Sequence, residues 1–223
     1  MTKETFFIVG PTAVGKSQLA ADVASELGAE IVSADAFQIY RGLNLLSAKP
    51  DPATVGKVPH HLIGVVALSE TMNAEKYRNL ALQAFHDIHS RGRIALVVGG
   101  SGLYLKALTH GLSSAPAADP DLRAQLNELS LVDLQEKLLA LDPNTRIDLK
   151  NRRRLVRAIE ICLLSGSPAS EQRKEWDVVA AGAPTGRAQN LPTTQGVFVF
   201  RDRDDLYQRI NRRVEEMFEN GLI

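Results

Sequence analysis

A chain of 223 residues and 24.3 kDa, 44% hydrophobic and 23% charged, suits one large α/β domain or a domain with an insert. Its 26 Lys and Arg balance 26 Asp and Glu, which excludes a whole-molecule basic field for nucleic acid but not a local basic patch. One cysteine, Cys162, excludes an internal disulfide framework. No apolar run approaches the ~20 residues of a membrane span, and residues 1–4 lack signal-peptide features, so a soluble, cytoplasmic protein is expected.

Strand and helix signals alternate at first. Phe6, Phe7, Ile8 and Val9 form a short apolar run ending at Gly10, the pattern of a buried strand. Residues 15–27 read as a helix with Leu19, Ala20, Val23 and Leu27 on its buried face, stopped by Gly28. Residues 30–34 give a second strand ending at Asp35, and a Pro- and Gly-rich loop is expected from about 42 to 64. A helix over 74–90 carries Leu80, Phe85 and Ile88 on its apolar side, and residues 94–98 are the most hydrophobic strand candidate, ending at Gly99-Gly100. Strands separated by helices imply a parallel sheet covered on both faces.

From 119 to 175 the periodicity is helical only. The stripes are Leu122, Leu126 and Leu129; then Leu131, Leu134, Leu138 and Leu141; then Val156, Ile159 and Leu163 in a helix over 152–164. Residues 177–195 read as a loop or linker; residues 197–200 return as a strand, followed by a helix from about 204 to 220. The segment Asn220-Gly221-Leu222-Ile223 brings no sheet-closing element, so more chain is expected after it.

The densest chemical signal is Gly10-Pro11-Thr12-Ala13-Val14-Gly15-Lys16-Ser17, a full G-x-x-x-x-G-K-[ST] between a strand and a helix. Its backbone N–H groups and the helix N-terminus favour an anionic oxygen cluster. Lys16 supplies a cation for a terminal phosphate and Ser17 a hydroxyl for Mg²⁺. The fold expected is α/β: a P-loop NTPase-like parallel sheet with helices on both faces (1–112 and 196–223) and an inserted helical domain plus linker (113–195). The strand over 94–98 ends in Gly99-Gly100-Ser101-Gly102, not in the carboxylate that holds Mg²⁺ in an NTPase or kinase. The nearest acid is Asp35. It and Ser101 both belong at the carboxyl ends of parallel strands, where ligands sit. Asp35 is open to three roles here: metal ligand, cap of a following helix, or general base; Ser101 is equally suited to capping a helix over 103–108.

Six ordered motifs resemble tRNA dimethylallyltransferases across essentially the whole chain. They are the phosphate loop; Ser33-Ala34-Asp35-Ala36-Phe37-Gln38-Ile39-Tyr40-Arg41-Gly42; Ala48-Lys49-Pro50 with Pro59-His60-His61-Leu62-Ile63; Val97-Val98-Gly99-Gly100-Ser101-Gly102-Leu103-Tyr104; Arg154-Leu155-Val156-Arg157-Ala158-Ile159-Glu160; and Arg209-Ile210-Asn211-Arg212-Arg213-Val214. The resemblance implies transfer of a dimethylallyl group from its diphosphate to the N6 amine of the adenosine 3′-adjacent to the anticodon (position 37), in tRNAs reading codons that start with U. It implies that residues 10–17 hold the diphosphate, with Mg²⁺ on Ser17. It makes Asp35 the base and Ser101, in place of a usual Thr, a catalytic hydroxyl that contacts the substrate base or the diphosphate region. It further implies tRNA contacts at Asp35, Ala36, Phe37, Gln38, Ser101, Arg123, Arg153, Arg154, Leu155, Val156 and Arg157, in a monomer binding the anticodon stem-loop and dimethylallyl diphosphate and no membrane. The chain departs from the family at Ala36-Phe37, where Ser-Arg is usual, at Gly64, where Asp is usual, and over 148–153.

The residues bear on this chemistry independently. An amine attacks an allylic carbon once the leaving diphosphate is neutralised, and a carboxylate removes its proton. A base must leave its stack to reach such a crevice, and Phe37 and Tyr40 are the aromatics able to receive it. Phe37 is equally well read as a core residue. Residues 146–157 hold six basic side chains (Arg146, Lys150, Arg152, Arg153, Arg154, Arg157) against Asp148, a net +5 that suits RNA phosphates or a solvated helix face. His60 and His61 lack metal-ligand spacing and read as structural, and Cys162 as a packed thiol. The competing classes are an adenylate isopentenyltransferase acting on free nucleotides, a P-loop small-molecule kinase whose arginine-rich insert closes over ATP, and a nucleotide-regulated RNA-binding module.

Overall fold

The apolar runs become strands because each must bury both faces. β1 (Thr5–Val9), β2 (Glu30–Ala34) and β4 (Ala95–Gly99) are almost wholly buried. With β3 (His60–His61) and β5 (Gln195–Phe198) they form a five-stranded parallel sheet in the order β3-β2-β4-β1-β5. The computed structural model describes residues 4–112, 115–172 and 195–222. The linker expected over 177–195 lies outside the described residues, except Gln195, which opens β5.

The chain divides into two compact units, Met1–Gly111 with Asn190–Ile223, and Leu112–Gln189. In the first, alternate strand residues face opposite ways. Phe7, Val32 and Val97 share a core with Tyr77, Ala81, Phe85 and Ile88 of α3 (Ala74–Ser90) and with Tyr104 and Leu108 of α4 (Gly102–Thr109). Ile8, Ile31, Leu96 and Val98 share another with Ala20, Ala21 and Ala24 of α1 (Lys16–Leu27). The expected leucine face of α1 is corrected here: Leu19 and Leu27 are exposed, because alanines let the helix approach the sheet closely. The loop expected over 42–64 also holds a short helix, α2 (Pro52–Lys57), and β3. Asp51 caps α2 at Thr54 N–H (2.8 Å), and Thr54 Oγ1 donates to Gln18 (3.1 Å). At the start of β2 the buried Glu30 receives His61 (2.7 Å) and Arg91 (2.7 and 3.1 Å). Burial alone would raise its carboxyl, but these bonds outweigh it and hold the group below the ordinary glutamate range.

The second unit is helical over its described residues: α5 (Pro120–Glu128), α6 (Leu131–Leu141) and α7 (Arg152–Ser165). Asp119 caps α5, a Ser130/Asp133 capping box opens α6, and Asn151 caps α7. Leu126, Leu134, Leu138, Leu155, Val156 and Ile159 make its core, whereas Leu131 and Leu163, expected inward, are exposed. Cys162 is buried, as expected, and its sulfur accepts from Ala169 N–H (3.3 Å). Among the described residues, no helix is long and apolar enough to cross a membrane.

Candidate active site

The phosphate loop joins β1 to α1, and its shape follows from its residues. Gly15 takes φ 96° at the N-cap of α1, a left-handed conformation that a side chain disfavours. At the tip of β4, a Cβ on Gly99 would run into the Ala34 backbone, so glycine there lets β2 and β4 end side by side. That brings Asp35 and Ser101 to neighbouring strand ends beyond the sheet. A crevice of about 1190 Å³ is lined by the loop, Asp35, Phe37, Gln38 and Ser101.

Asp35 Oδ1 accepts from the N–H groups of Phe37 (2.9 Å) and Gln38 (3.1 Å), which closes a turn over 36–39 where a capped helix was one expectation. No hydrogen bond engages Oδ2 among the described residues, which leaves one carboxylate oxygen for chemistry. Ser101 occupies the N-cap position of α4 without a side-chain cap bond; its Oγ accepts from Ala36 N–H instead (2.9 Å). The acid and the hydroxyl therefore hold one turn. Gln38 is tied by its side chain to neighbouring lining residues of the crevice. Its amide donates to Ala48 O (3.0 Å) and Ser47 O (3.4 Å), and its oxygen accepts from Ser33 Oγ (3.3 Å), so it braces the loop before Lys49.

Lys16 Nζ donates to Pro11 O (2.6 Å). Three arginines near the chain's end also reach this loop, a grouping that the sequence reading assigned no role. Arg201 donates to Val14 O (3.1 Å), Arg209 to Ala13 O (2.8 Å), and Arg213 to Thr12 Oγ1 (3.1 Å) and Ala48 O (3.3 Å). Arg209 and Arg213 share a face of α8 (Arg203–Glu219) at i, i+4. Burial lowers the Lys16 ammonium below the ordinary lysine range; nearby Asp35 opposes the shift and Arg213 adds to it. Arg213 is likewise lowered, chiefly by burial, with Asp35 opposing. Two partly buried cations beside a phosphate loop suit an anion.

The residues expected to touch tRNA from the helical unit divide differently. Leu155 and Val156 are corrected: both are buried in the unit's core, so their side chains are closed to RNA. Arg123 and Arg157 each donate to the buried carboxylate of Glu160 (2.6 Å), which also accepts from Asp119 N–H (3.0 Å). Arg152 donates to Leu129 O (2.6 Å) and Asn127 O (2.5 Å) at the end of α5. Arg146, Lys150, Arg153 and Arg154 are exposed, and their side chains make no hydrogen bond or ion pair among the described residues. Within the run 146–157 these four are the outward basic side chains.

Residues 38–223 match the family model described as IPP transferase. A tRNA dimethylallyltransferase of Akkermansia muciniphila is 39% identical over 221 residues, covering 98% of this chain and 71% of that protein. One from Geobacter sulfurreducens is 40% identical over 222 residues, covering 97% and 68%. The crystal structure of a tRNA isopentenylpyrophosphate transferase from Bacillus halodurans superposes with a TM-score of 0.62 at 36% identity, over 99% of this chain and 68% of that one. A eukaryotic dimethylallyltransferase captured acting on tRNA gives 0.77 at 26% identity, over 99% and 54%.

Proposed function

The chain belongs to the IPP transferase family, and from that premise we propose that it is a tRNA dimethylallyltransferase. It transfers the dimethylallyl group of dimethylallyl diphosphate to N6 of the adenosine 3′-adjacent to the anticodon (position 37), in tRNAs that read codons starting with U. The observation that carries the reading is the pairing of a phosphate loop with Asp35 at the end of β2, while β4 ends in Gly99, Gly100 and Ser101 rather than in an acid. A kinase needs that acid. A prenyl transfer needs a cradle for diphosphate and a base beside it.

In this assignment Lys16, Arg213 and the loop amides hold the diphosphate. N6 attacks the allylic carbon as the carbon–oxygen bond breaks. The bonding pair leaves with the diphosphate, and the N6 proton passes to Asp35 Oδ2. Ser101, through Ala36 N–H, keeps the carboxylate's turn in place. Ser17 lines the crevice beside Lys16, and its hydroxyl is an oxygen donor that suits a Mg²⁺ ion. Mg²⁺ would there neutralise the leaving group. The exposed Arg146, Lys150, Arg153 and Arg154 suit the phosphates of the anticodon stem-loop. The working form in this reading is a cytoplasmic monomer. Incubation with radiolabelled dimethylallyl diphosphate and either unmodified tRNA or AMP tests the assignment. Label entering tRNA alone is expected; label entering AMP alone identifies an adenylate isopentenyltransferase, and label entering neither refutes prenyl transfer.

A further inference from the structure

The two aromatics after Asp35 are treated oppositely by the fold. Tyr40 packs against the core, bridges its backbone to Val66 and accepts a hydrogen bond from Met72 N–H at its hydroxyl (3.2 Å). It is committed to structure. Phe37 keeps 67% of its surface exposed while lining the crevice with Lys16, Ser17 and Asp35. It forgoes the burial that makes phenylalanine useful in a core.

That exposure does not come from a slack segment. Phe37 N–H and Gln38 N–H donate to Asp35 Oδ1, Ala36 N–H donates to Ser101 Oγ, and Tyr40 N–H returns to Phe37 O (3.2 Å). The ring stands on a turn whose bonds are made by the same carboxylate and hydroxyl that sit at the reaction centre. Ring and base are thus held by one element.

We propose that Phe37 is the stacking platform for the adenine whose N6 amine is alkylated. The inference rests on the prenyl-transfer reading and deepens it. A base drawn out of RNA loses its stacking neighbours, and an aromatic face replaces them. Placing that face on the turn of Asp35 sets the amine's height above the carboxylate as well as holding the ring. The other occupant such a ring could serve is the prenyl tail, and the two make opposite predictions.

The test measures transfer to an anticodon stem-loop RNA by the parent chain and by Phe37→Ala, Phe37→Leu and Phe37→Tyr, with KM read separately for RNA and for dimethylallyl diphosphate. Stacking predicts that Phe37→Ala loses roughly 5- to 150-fold in kcat/KM for RNA, the range seen when a base-stacking aromatic is truncated. It predicts an unchanged KM for dimethylallyl diphosphate, recovery in Phe37→Tyr and none in Phe37→Leu. Full recovery in Phe37→Leu, a loss under twofold in Phe37→Ala, or a rise in KM confined to dimethylallyl diphosphate each overturns the proposal. If the parent chain itself transfers no prenyl group to RNA, the functional reading fails first and this one with it. An active parent with an indifferent Phe37→Ala removes the stacking role alone. Circular dichroism of each variant separates these outcomes from loss of fold.

Discussion

Arg157 and Arg153 look alike in the sequence, yet the structure gives them different work, and exchanging each for glutamine separates the two roles. Arg157 donates to Glu160 (2.6 Å) and to Pro116 O (2.7 Å), tying α7 to the segment before α5. Glu160 is fully buried, so Arg157→Gln leaves its carboxylate with Arg123 and the Asp119 N–H alone. Breaking a fully buried pair costs about 3–5 kcal/mol. Here one of two cations goes, and the Arg157 side chain is itself 35% exposed, so the figure is discounted to about 1.5–3 kcal/mol, the range of one charged hydrogen bond. At roughly 2–4 °C per kcal/mol for a chain of this length, the melting temperature falls by ~3–12 °C. The loss depends on pH in a defined direction. Burial would raise the Glu160 carboxyl, but Arg157, Arg123 and the Asp119 N–H outweigh it and hold the group below the ordinary glutamate value. A depressed acid contributes stability above its unfolded pKa, and that contribution disappears as pH falls through the folded one. Parent and Arg157→Gln melting temperatures therefore converge in acid, as pH falls below the ordinary glutamate range and through the lowered Glu160 value. Arg153→Gln melts as the parent does at every pH. Instead it lowers the slope of log K for RNA against log salt by roughly 0.7–0.9. Thermal unfolding by circular dichroism and salt titrations of RNA binding read both arms. An Arg157→Gln variant that melts within 1 °C of the parent at pH 7, or an unaltered RNA slope in Arg153→Gln, refutes the partition.

Three further outcomes are expected. Lys16→Ala loses most of its affinity for inorganic diphosphate in calorimetry, because it removes the ammonium at the phosphate loop; unchanged affinity removes the loop from diphosphate binding. Arg213→Ala raises KM for dimethylallyl diphosphate by roughly 10- to 150-fold, one charged hydrogen bond's worth, with KM for RNA unchanged; an RNA-only effect would assign this arginine elsewhere. Asp35→Asn keeps both substrates bound and slows single-turnover transfer by roughly 10²–10⁴-fold, and a rate within a few-fold of the parent takes Asp35 out of proton transfer.

The phosphate loop was legible because its chemistry is contiguous: glycines, lysine and serine dictate local backbone geometry wherever they stand between strand and helix. Asp35 and Ser101 were legible for a different reason, since parallel strands present their carboxyl ends together. Elements held mainly by distant partners escaped. α2 has six residues and β3 two, too few for a period, and they persist through Thr54 on Gln18 and His61 on Glu30. The face of α1 was misread because leucine outranks alanine in hydrophobicity, while a helix lying close on a sheet selects for small size. In the basic run the net charge was legible but its division was not. Glu160 stands three residues after Arg157, and that spacing was the available clue. The arginines of the phosphate site were out of reach of local reading, because Arg213 and Thr12 are 201 positions apart and only the pairing of β5 beside β1 brings α8 to the loop.

That pairing sets arginines beside the loop in a chain whose β4 ends without the usual acid. In an NTPase a strand-end carboxylate helps hold a metal against the phosphates. In this chain the corresponding strand ends in glycine and serine, and cationic side chains gather from α1 and α8. Lys16 and Arg213 are both half-buried and both lowered, with Arg213 adding to the shift of Lys16 and Asp35 opposing both. Burial is the main cause of both shifts, and a multiply charged anion placed beside the two groups compensates it. In the prenyl transfer proposed above, the two cations stabilise the charge that accumulates on the diphosphate as the carbon–oxygen bond breaks, and Asp35 is left to the nucleophile's proton.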